Sequence, residues 1–220
     1  MIPYLNDLMS YYDIHTHQKP LHREDRAIIN IIVGLEESAI SDIPAVSCGI
    51  HPWHIIDANR QLSLLRKLAF KENVVAIGEA GFDPKAKVSM KAQKELFEQH
   101  AFLAEESAKP LIIHCVKAWD DLIACRKEIN PQMPWIIHGF RGKEQLAKQL
   151  MRQGFYLSFG IYFNHLALQA AWPDRFFLET DDKSIDIREV YVKAAETLVL
   201  SDEIIQSQLL KNSSLFHLKG

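Results

Sequence analysis

Cysteine is scarce in this chain: Cys48, Cys115 and Cys125 are all that its 220 residues contain. An odd, sparse set argues against a disulfide framework. A basic excess is missing as well, with 25 Lys and Arg against 28 Asp and Glu and a formal charge of −3. A protein that grips a long polyanion usually carries surplus cation. Any nucleic-acid contact must therefore come from a local cluster. The balance favours a small substrate or the end of a strand over a long duplex footprint. No uninterrupted apolar stretch approaches the roughly 18 residues that a membrane span needs. The opening MIPYLNDLMSYYD, interrupted by Asp7, lacks the basic region and apolar run of a signal peptide. The expectation is a cytoplasmic protein with no membrane association and no obligate protein partner. Gly/Ser linkers, low-complexity runs and internal repeats are absent too. With 48% hydrophobic and 24% charged residues, the chain reads as a single domain spanning 1–220.

What the sequence has is a recurrence of short apolar runs: 11–17, 27–33, 45–50, 73–81, 111–116, 135–140, 155–160 and 176–181. They show little polar alternation, as do parallel strands covered on both faces. From the third run onward, helical patterns fill the gaps, and two more helices close the chain. Eight strands alternating with helices predict an α/β fold, a TIM-like (β/α) barrel. The first two gaps, QKPLHREDR and GLEESAISDIPA, are short for parallel crossovers, which normally carry a helix. The barrel is therefore expected to have two minimal connections at its start, with an antiparallel first hairpin as the other option.

Polar residues gather where the apolar runs end. His15 and His17 close the first, Glu79 the fourth, His114 the fifth, His138 the sixth and Asp181 the eighth. In barrels, the C-terminal rim of the strands is where chemistry is done. His15 and His17 are two apart and so share one side of their strand. Clustered imidazoles and carboxylates are costly to bury unless paired or metal-bound. The six residues thus read as metal ligands, and imidazole with carboxylate suits zinc, iron or manganese better than a pure magnesium site. A catalytic zinc keeps about three protein ligands, so six would serve two metals.

At the level of motifs the chain resembles the TatD family of metal-dependent hydrolases, in the amidohydrolase-type barrel superfamily. DIHTH matches its D-x-H-x-H, CGIHPW its G-x-H-P and AIGEAGFD its G-E-x-G-x-D. LIIHCVKA and IIHGFRG match its two later histidine strands and FFLETD its L-E-T-D, and NSSLF corresponds to its late N-x-x-x-L-F with one residue fewer before L-F. The resemblance covers essentially the whole chain and implies two divalent metal ions, whether zinc, manganese or magnesium. It implies Glu79 as the bridging ligand, His15 and His17 on one metal, and His114 and His138 mainly on the other. Asp181 would ligate metal and act as general base on the attacking water, which makes Asp181 and Glu79 the catalytic pair. Many relatives trim DNA ends, and some deacylate mischarged transfer RNA. The expected function is a phosphodiesterase or deoxyribonuclease acting on a small phosphodiester or a nucleic-acid end. Hydrolysis of ester or amide carbonyls is the alternative, and a non-catalytic metal-binding scaffold the third.

The departures from the family concern the substrate. Relatives commonly carry Arg two positions after the fifth-strand histidine, where this chain has Val116, with Lys117 one later. Arg141 stands where relatives have a small residue, and Asp182 and Lys183 replace their A-P. The expectation is that Arg141 takes over the phosphate, with Lys117 a lesser cation and His51 lining the pocket. Asp83 is expected to hydrogen-bond the metal site from behind. His22, His54, His100, His165 and His217 read as surface or packing residues. Trp53, Trp119 and Trp172 read as outer-layer packing, with pocket walls as the other option. Cys115 faces away from His114 and is no dyad partner.

Overall fold

The computed structural model describes residues 10–216. Residues 1–9, which carry most of the opening stretch read for a leader, and His217 lie outside them. Eight strands run β1 Tyr12–Thr16, β2 Arg26–Ile32, β3 Val46–Gly49, β4 Val74–Phe82, β5 Leu111–Cys115, β6 Trp135–Ile137, β7 Tyr156–Phe159 and β8 Phe176–Leu178. They form one sheet in sequence order. The registered pairs, β1–β2 among them, are parallel, so the first connection is a crossover and not a hairpin. This is the strand order of a TIM-like (β/α) barrel. Seven helices are present among the described residues: α1 Ala58–Leu68, α2 Met90–Ser107, α3 Trp119–Ile129, α4 Glu144–Arg152, α5 His165–Ala171, α6 Ile187–Leu198 and α7 Asp202–Ser213. Each lies where the apolar periodicity put one. Asp57, Ser89 and Asn164 cap the starts of α1, α2 and α5, their side chains accepting from the first turn, and Asp186 with Glu189 forms a capping box on α6.

The fold falls into two compact units, one of residues up to Ile29 and from His138 onward, the other Asn30–Ile137. In the second unit all nine residues of β4 are buried. Phe97 of α2 packs between Phe82 and Trp135, at 5.0 and 5.1 Å between ring centroids. The glycines of β4 follow from how closely the next strand approaches. A Cβ on Gly78 would fall on the carbonyl oxygen of Ile112, and one on Gly81 on that of His114. His100 of α2 is fully buried. Its Nδ1 donates to the Leu96 carbonyl (2.8 Å) and its Nε2 accepts from the Ile50 N–H (2.9 Å). Burial pushes its pKa down to about 4, so it stays neutral and braces the end of β3.

In the first unit, α7 is tied to β8 by Asn212, whose amide donates to the carbonyls of Pro173 (2.8 Å) and Phe176 (2.9 Å). That is the physical content of the late NSSLF segment. Tyr191 of α6 fastens the start of β1, its hydroxyl donating to the Tyr12 carbonyl (3.1 Å) and accepting the Tyr12 N–H (2.9 Å). The β1–β2 connection carries no helix, and the β2–β3 connection carries only a 3-10 turn at Glu37–Asp42.

Ionic contacts hold the first connection in place of helix burial. Arg188 at the start of α6 reaches Asp25 (2.7 Å) and Glu24 (3.1 Å), while His22 meets Asp186 (2.8 Å). The Asp25 side chain is only 1% exposed. Removing one partner of a buried pair strands the other charge. Arg188→Met should therefore lower unfolding free energy by about 3 kcal/mol in chemical denaturation, and adding Asp25→Asn should restore part of it. A single variant as stable as the parent would show that the connection is held otherwise.

Candidate metal centre

Each unit carries its own group of metal-donor side chains at strand ends. In the first unit, β1 delivers His15, fully buried, and His17, exposed, just beyond its end. Asp181 follows β8 and forms an isolated parallel bridge with Thr16. Its N–H donates to the His15 carbonyl (3.0 Å), and its carbonyl accepts from the His17 N–H (3.1 Å). The Asp181 backbone is left-handed, with φ of 57°, a conformation that aspartate tolerates better than most residues. These links set its carboxylate facing both rings, with Asp181 Oδ1 3.7 Å from His15 Nε2 and 3.8 Å from His17 Nε2. Those separations are too long for hydrogen bonds. They suit donor atoms sharing one cation, since ligands each about 2.0–2.2 Å from a metal lie about 3–4 Å apart.

Behind these donors lies a buried polar layer. Asp13 accepts from the Thr180 hydroxyl (2.6 Å) and the Thr180 N–H (3.2 Å), tying the D of D-x-H-x-H to the T of L-E-T-D. Burial pushes the Asp13 carboxyl up to about 7 against these hydrogen bonds, and the Glu179 charge adds to the rise. Glu179 is itself fully buried; it accepts from the Gly139 N–H (2.6 Å) and sits 3.4 Å from His138 Nδ1. Burial opposes its ionisation, yet contacts with His138, His15 and Ser158 hold its pKa below the usual range. The His138 ring lies 4.2 Å from that of His15, centroid to centroid, tilted by 46°. His138, Glu179 and Asp181 form a second group with donor atoms within reach of one ion.

In the second unit, β4 delivers Glu79 and β5 delivers His114. His114 Nδ1 lies 2.7 Å from Glu79 Oε1, and its Nε2 lies 3.4 Å from Asp83 Oδ2. A carboxylate oxygen only accepts, so each ring nitrogen facing one must carry a proton or share a cation. A metal taking the Nδ1 side would leave Asp83 to hold the ring through Nε2–H, the usual support for a ligating histidine. Glu79 is anchored by Asn30, whose Oδ1 accepts from the Glu79 N–H (3.0 Å) and the Ser47 hydroxyl (3.0 Å), and whose amide nitrogen lies 3.4 Å from Glu79 Oε2. His51 Nε2 lies 3.4 Å from Glu79 Oε1, which puts His51 in a donor group with Glu79 and His114. Its Nδ1, however, accepts the Trp53 backbone N–H (3.1 Å). A neutral ring whose Nδ1 accepts carries its proton on Nε2. His51 therefore donates toward Glu79 and offers no lone pair to a metal.

The sequence reading missed Glu179, Thr180 and Asn30. Each is a polar residue inside an otherwise apolar run, and that contrast was the available signal. His100 proves to be a buried brace. Trp53 is exposed, against the packing expectation, and its indole N–H donates to Asp83 Oδ2 (2.8 Å). Trp172 does pack, edge-on to Phe176 at 5.4 Å. Arg141 is exposed with its guanidinium 5.6 Å over the Tyr162 ring, and Lys117 is exposed with a left-handed backbone. A cleft with about 490 Å³ of open space adjoins the first unit's donors, lined by residues that include Asp13, Thr16, Lys19, Thr180 and Lys183.

The family described as TatD related DNase matches residues 13–214. The chain belongs to the TatD family. It is similar, at 30% identity over 94% of this chain and 86% of the relative, to an uncharacterized metal-dependent hydrolase of Buchnera aphidicola subsp. Baizongia pistaciae. The 3'-5' ssDNA/RNA exonuclease TatD of Cronobacter sakazakii is 35% identical over 61% of this chain and 56% of its own. Among solved structures, the TatD homologue YjjV of Escherichia coli K12 superposes with a TM-score of 0.80 at 18% identity, covering 95% of this chain and 98% of that one. The TatD fold is thus a TIM-like barrel here as there, and this chain is a TatD-family metal-dependent hydrolase. Among the described residues no helix is long and apolar enough to cross a membrane.

If the TatD donor groups hold metal, a divalent ion should stabilise the folded protein. At a hundredfold excess over its dissociation constant, the gain is about 2.7 kcal/mol. Thermal unfolding with and without zinc or manganese should show it. His15→Ala with His17→Ala should fold, lose much of the shift and bind less metal by elemental analysis. Full metal occupancy in that double variant would contradict the assignment.

Proposed function

We propose that this hydrolase cleaves phosphodiester bonds at nucleic-acid ends, using two divalent metal ions. His15, His17 and Asp181 would hold metal in the first unit, joined by His138, and Glu79 with His114 would hold metal in the second. The observation that carries the reading is the Asp181 carboxylate, set 3.7 and 3.8 Å from two imidazole nitrogens by backbone hydrogen bonds on both sides. Imidazole-rich donors favour zinc or manganese over magnesium. When bound, such ions polarise a phosphoryl oxygen and lower the pKa of a water. The exonuclease name of the Cronobacter relatives supports nucleic acid as the substrate.

The chain's own residues supply positioning and proton transfer. Glu179 and the Gly139 N–H fix one another and so orient His138, while Asp83 and Glu79 orient His114. Asp181 takes the proton from the attacking water at its carboxylate, with Asp13 and Thr180 keeping its segment in place. His51 Nε2–H steadies Glu79. Arg141 meets the substrate phosphate, its planar fork suiting phosphate oxygens better than the lone charge of Lys117. The guanidinium lies 5.6 Å from the centre of the Tyr162 ring.

Release of mononucleotides from end-labelled single-stranded DNA, with manganese supplied, tests the reading. Asp181→Asn keeps an oxygen donor but loses the base, and should lower kcat by about 10²–10⁴-fold with KM little changed. Unchanged turnover would send the proton elsewhere. Arg141→Ala should cost about 1.5–3 kcal/mol in kcat/KM at unchanged metal content, and Lys117→Ala less. A parent that hydrolyses aminoacyl esters and leaves DNA intact would overturn the phosphodiester assignment.

A further inference from the structure

Trp53 is 57% exposed, an unusual setting for the largest apolar side chain, yet it is held at two points. It sits in the 3-10 turn Pro52–His54, where its backbone N–H donates to His51 Nδ1 (3.1 Å) and its indole N–H donates to Asp83 Oδ2 (2.8 Å). Pro52, its neighbour in the turn, is buried, and the His51 ring meets the indole edge-on at 6.1 Å. Asp83 Oδ2 also faces His114 Nε2 at 3.4 Å, so a single carboxylate oxygen separates the indole nitrogen from a proposed metal-binding imidazole. A tryptophan kept for packing would bury its faces. This one is anchored by its polar edge and stays more than half exposed beside the donor group. Ile56, 72% exposed, lies three residues on and extends the apolar character of the segment.

Resting on the phosphodiester reading above, we propose that Trp53 is a stacking platform for a nucleobase of the substrate, a positioning residue that makes the enzyme prefer base-bearing ends. Both anchors are spent on the backbone and the indole edge, so the ring is already oriented before substrate arrives and little conformational entropy remains to be lost on stacking. Base–aromatic stacking is tolerant of sequence, because every base presents a π-face. It also adds affinity without added positive charge, which fits a chain with a formal charge of −3. Asp83 thereby has two tasks, orienting His114 and fixing the plane on which the base rests.

The test is equilibrium binding in EDTA, so that turnover plays no part, of two radiolabelled strands of equal length and charge. One is an oligodeoxyadenylate and the other its abasic counterpart. The parent should prefer the base-bearing strand. Trp53→Ala should weaken binding of that strand by roughly 5- to 150-fold, the range of one lost stack, and leave the abasic strand unchanged. Trp53→Phe retains an aromatic face without the N–H and should recover most of the preference, which a purely structural role for the tryptophan would not produce. Unfolding curves of both variants establish that each is folded. Equal weakening of the two strands by Trp53→Ala, or a parent indifferent to the bases, overturns the platform while leaving phosphodiester hydrolysis intact. A parent that binds neither strand in EDTA and, in a separate assay with manganese supplied, cleaves neither overturns the phosphodiester reading and the platform with it.

Discussion

Asp181 is clasped through its backbone by both histidines that face its side chain. Its N–H bonds to the His15 carbonyl and its carbonyl to the His17 N–H, so the ladder between the first strand and the segment after the last is also the scaffold of the donor group. Three donor atoms are brought together by strand pairing instead of by flexible side chains. That arrangement explains why D-x-H-x-H and L-E-T-D belong together chemically although about 165 residues separate them. The left-handed backbone at Asp181 and the Asp13–Thr180 hydrogen bonds serve the same end, since each fixes where the chain leaves β8. Rigid strand ends hold reactive groups more closely than loops do.

Much of this was legible because parallel strands advertise themselves. An apolar run covered on both faces, ended by a histidine or a carboxylate, marks both a strand and its functional rim, and all six proposed ligands were found that way. The residues that escaped notice lie inside such runs. Asn30 in AIINIIV and Glu179 in FFLETD read as minor interruptions, because only the folded chain reveals that Asn30 meets the Glu79 backbone and Glu179 the His138 ring. Trp53 departs from the packing reading for a related reason. A tryptophan has so much apolar area that burial is the default, and only its bond to Asp83 shows the indole edge to be its anchor. His51 shows the reverse: its place among the donors marks it as a ligand, but the tautomer imposed by the Trp53 N–H removes it from that role.

The start of the barrel keeps its strands with no α-helix in the first two connections. Where a helix would bury apolar surface over β1 and β2, a polar network on Arg188 pins the connection to α6. Such a network depends on every member, because a buried carboxylate without its partner is costly. The cleft beside the first unit's donors, with Lys19 and Lys183 in its lining, is bordered by this trimmed connection. Open space and two lysines thus lie next to the first unit's proposed donors.

The central claim is that imidazole and carboxylate donors at these strand ends bind divalent metal. X-ray absorption spectroscopy of the zinc-loaded protein tests it most directly. The account predicts a mixed nitrogen and oxygen shell at about 2.0–2.2 Å, with the outer-shell scattering of coordinated imidazole rings. A shell of oxygen alone, without imidazole scattering, would contradict it.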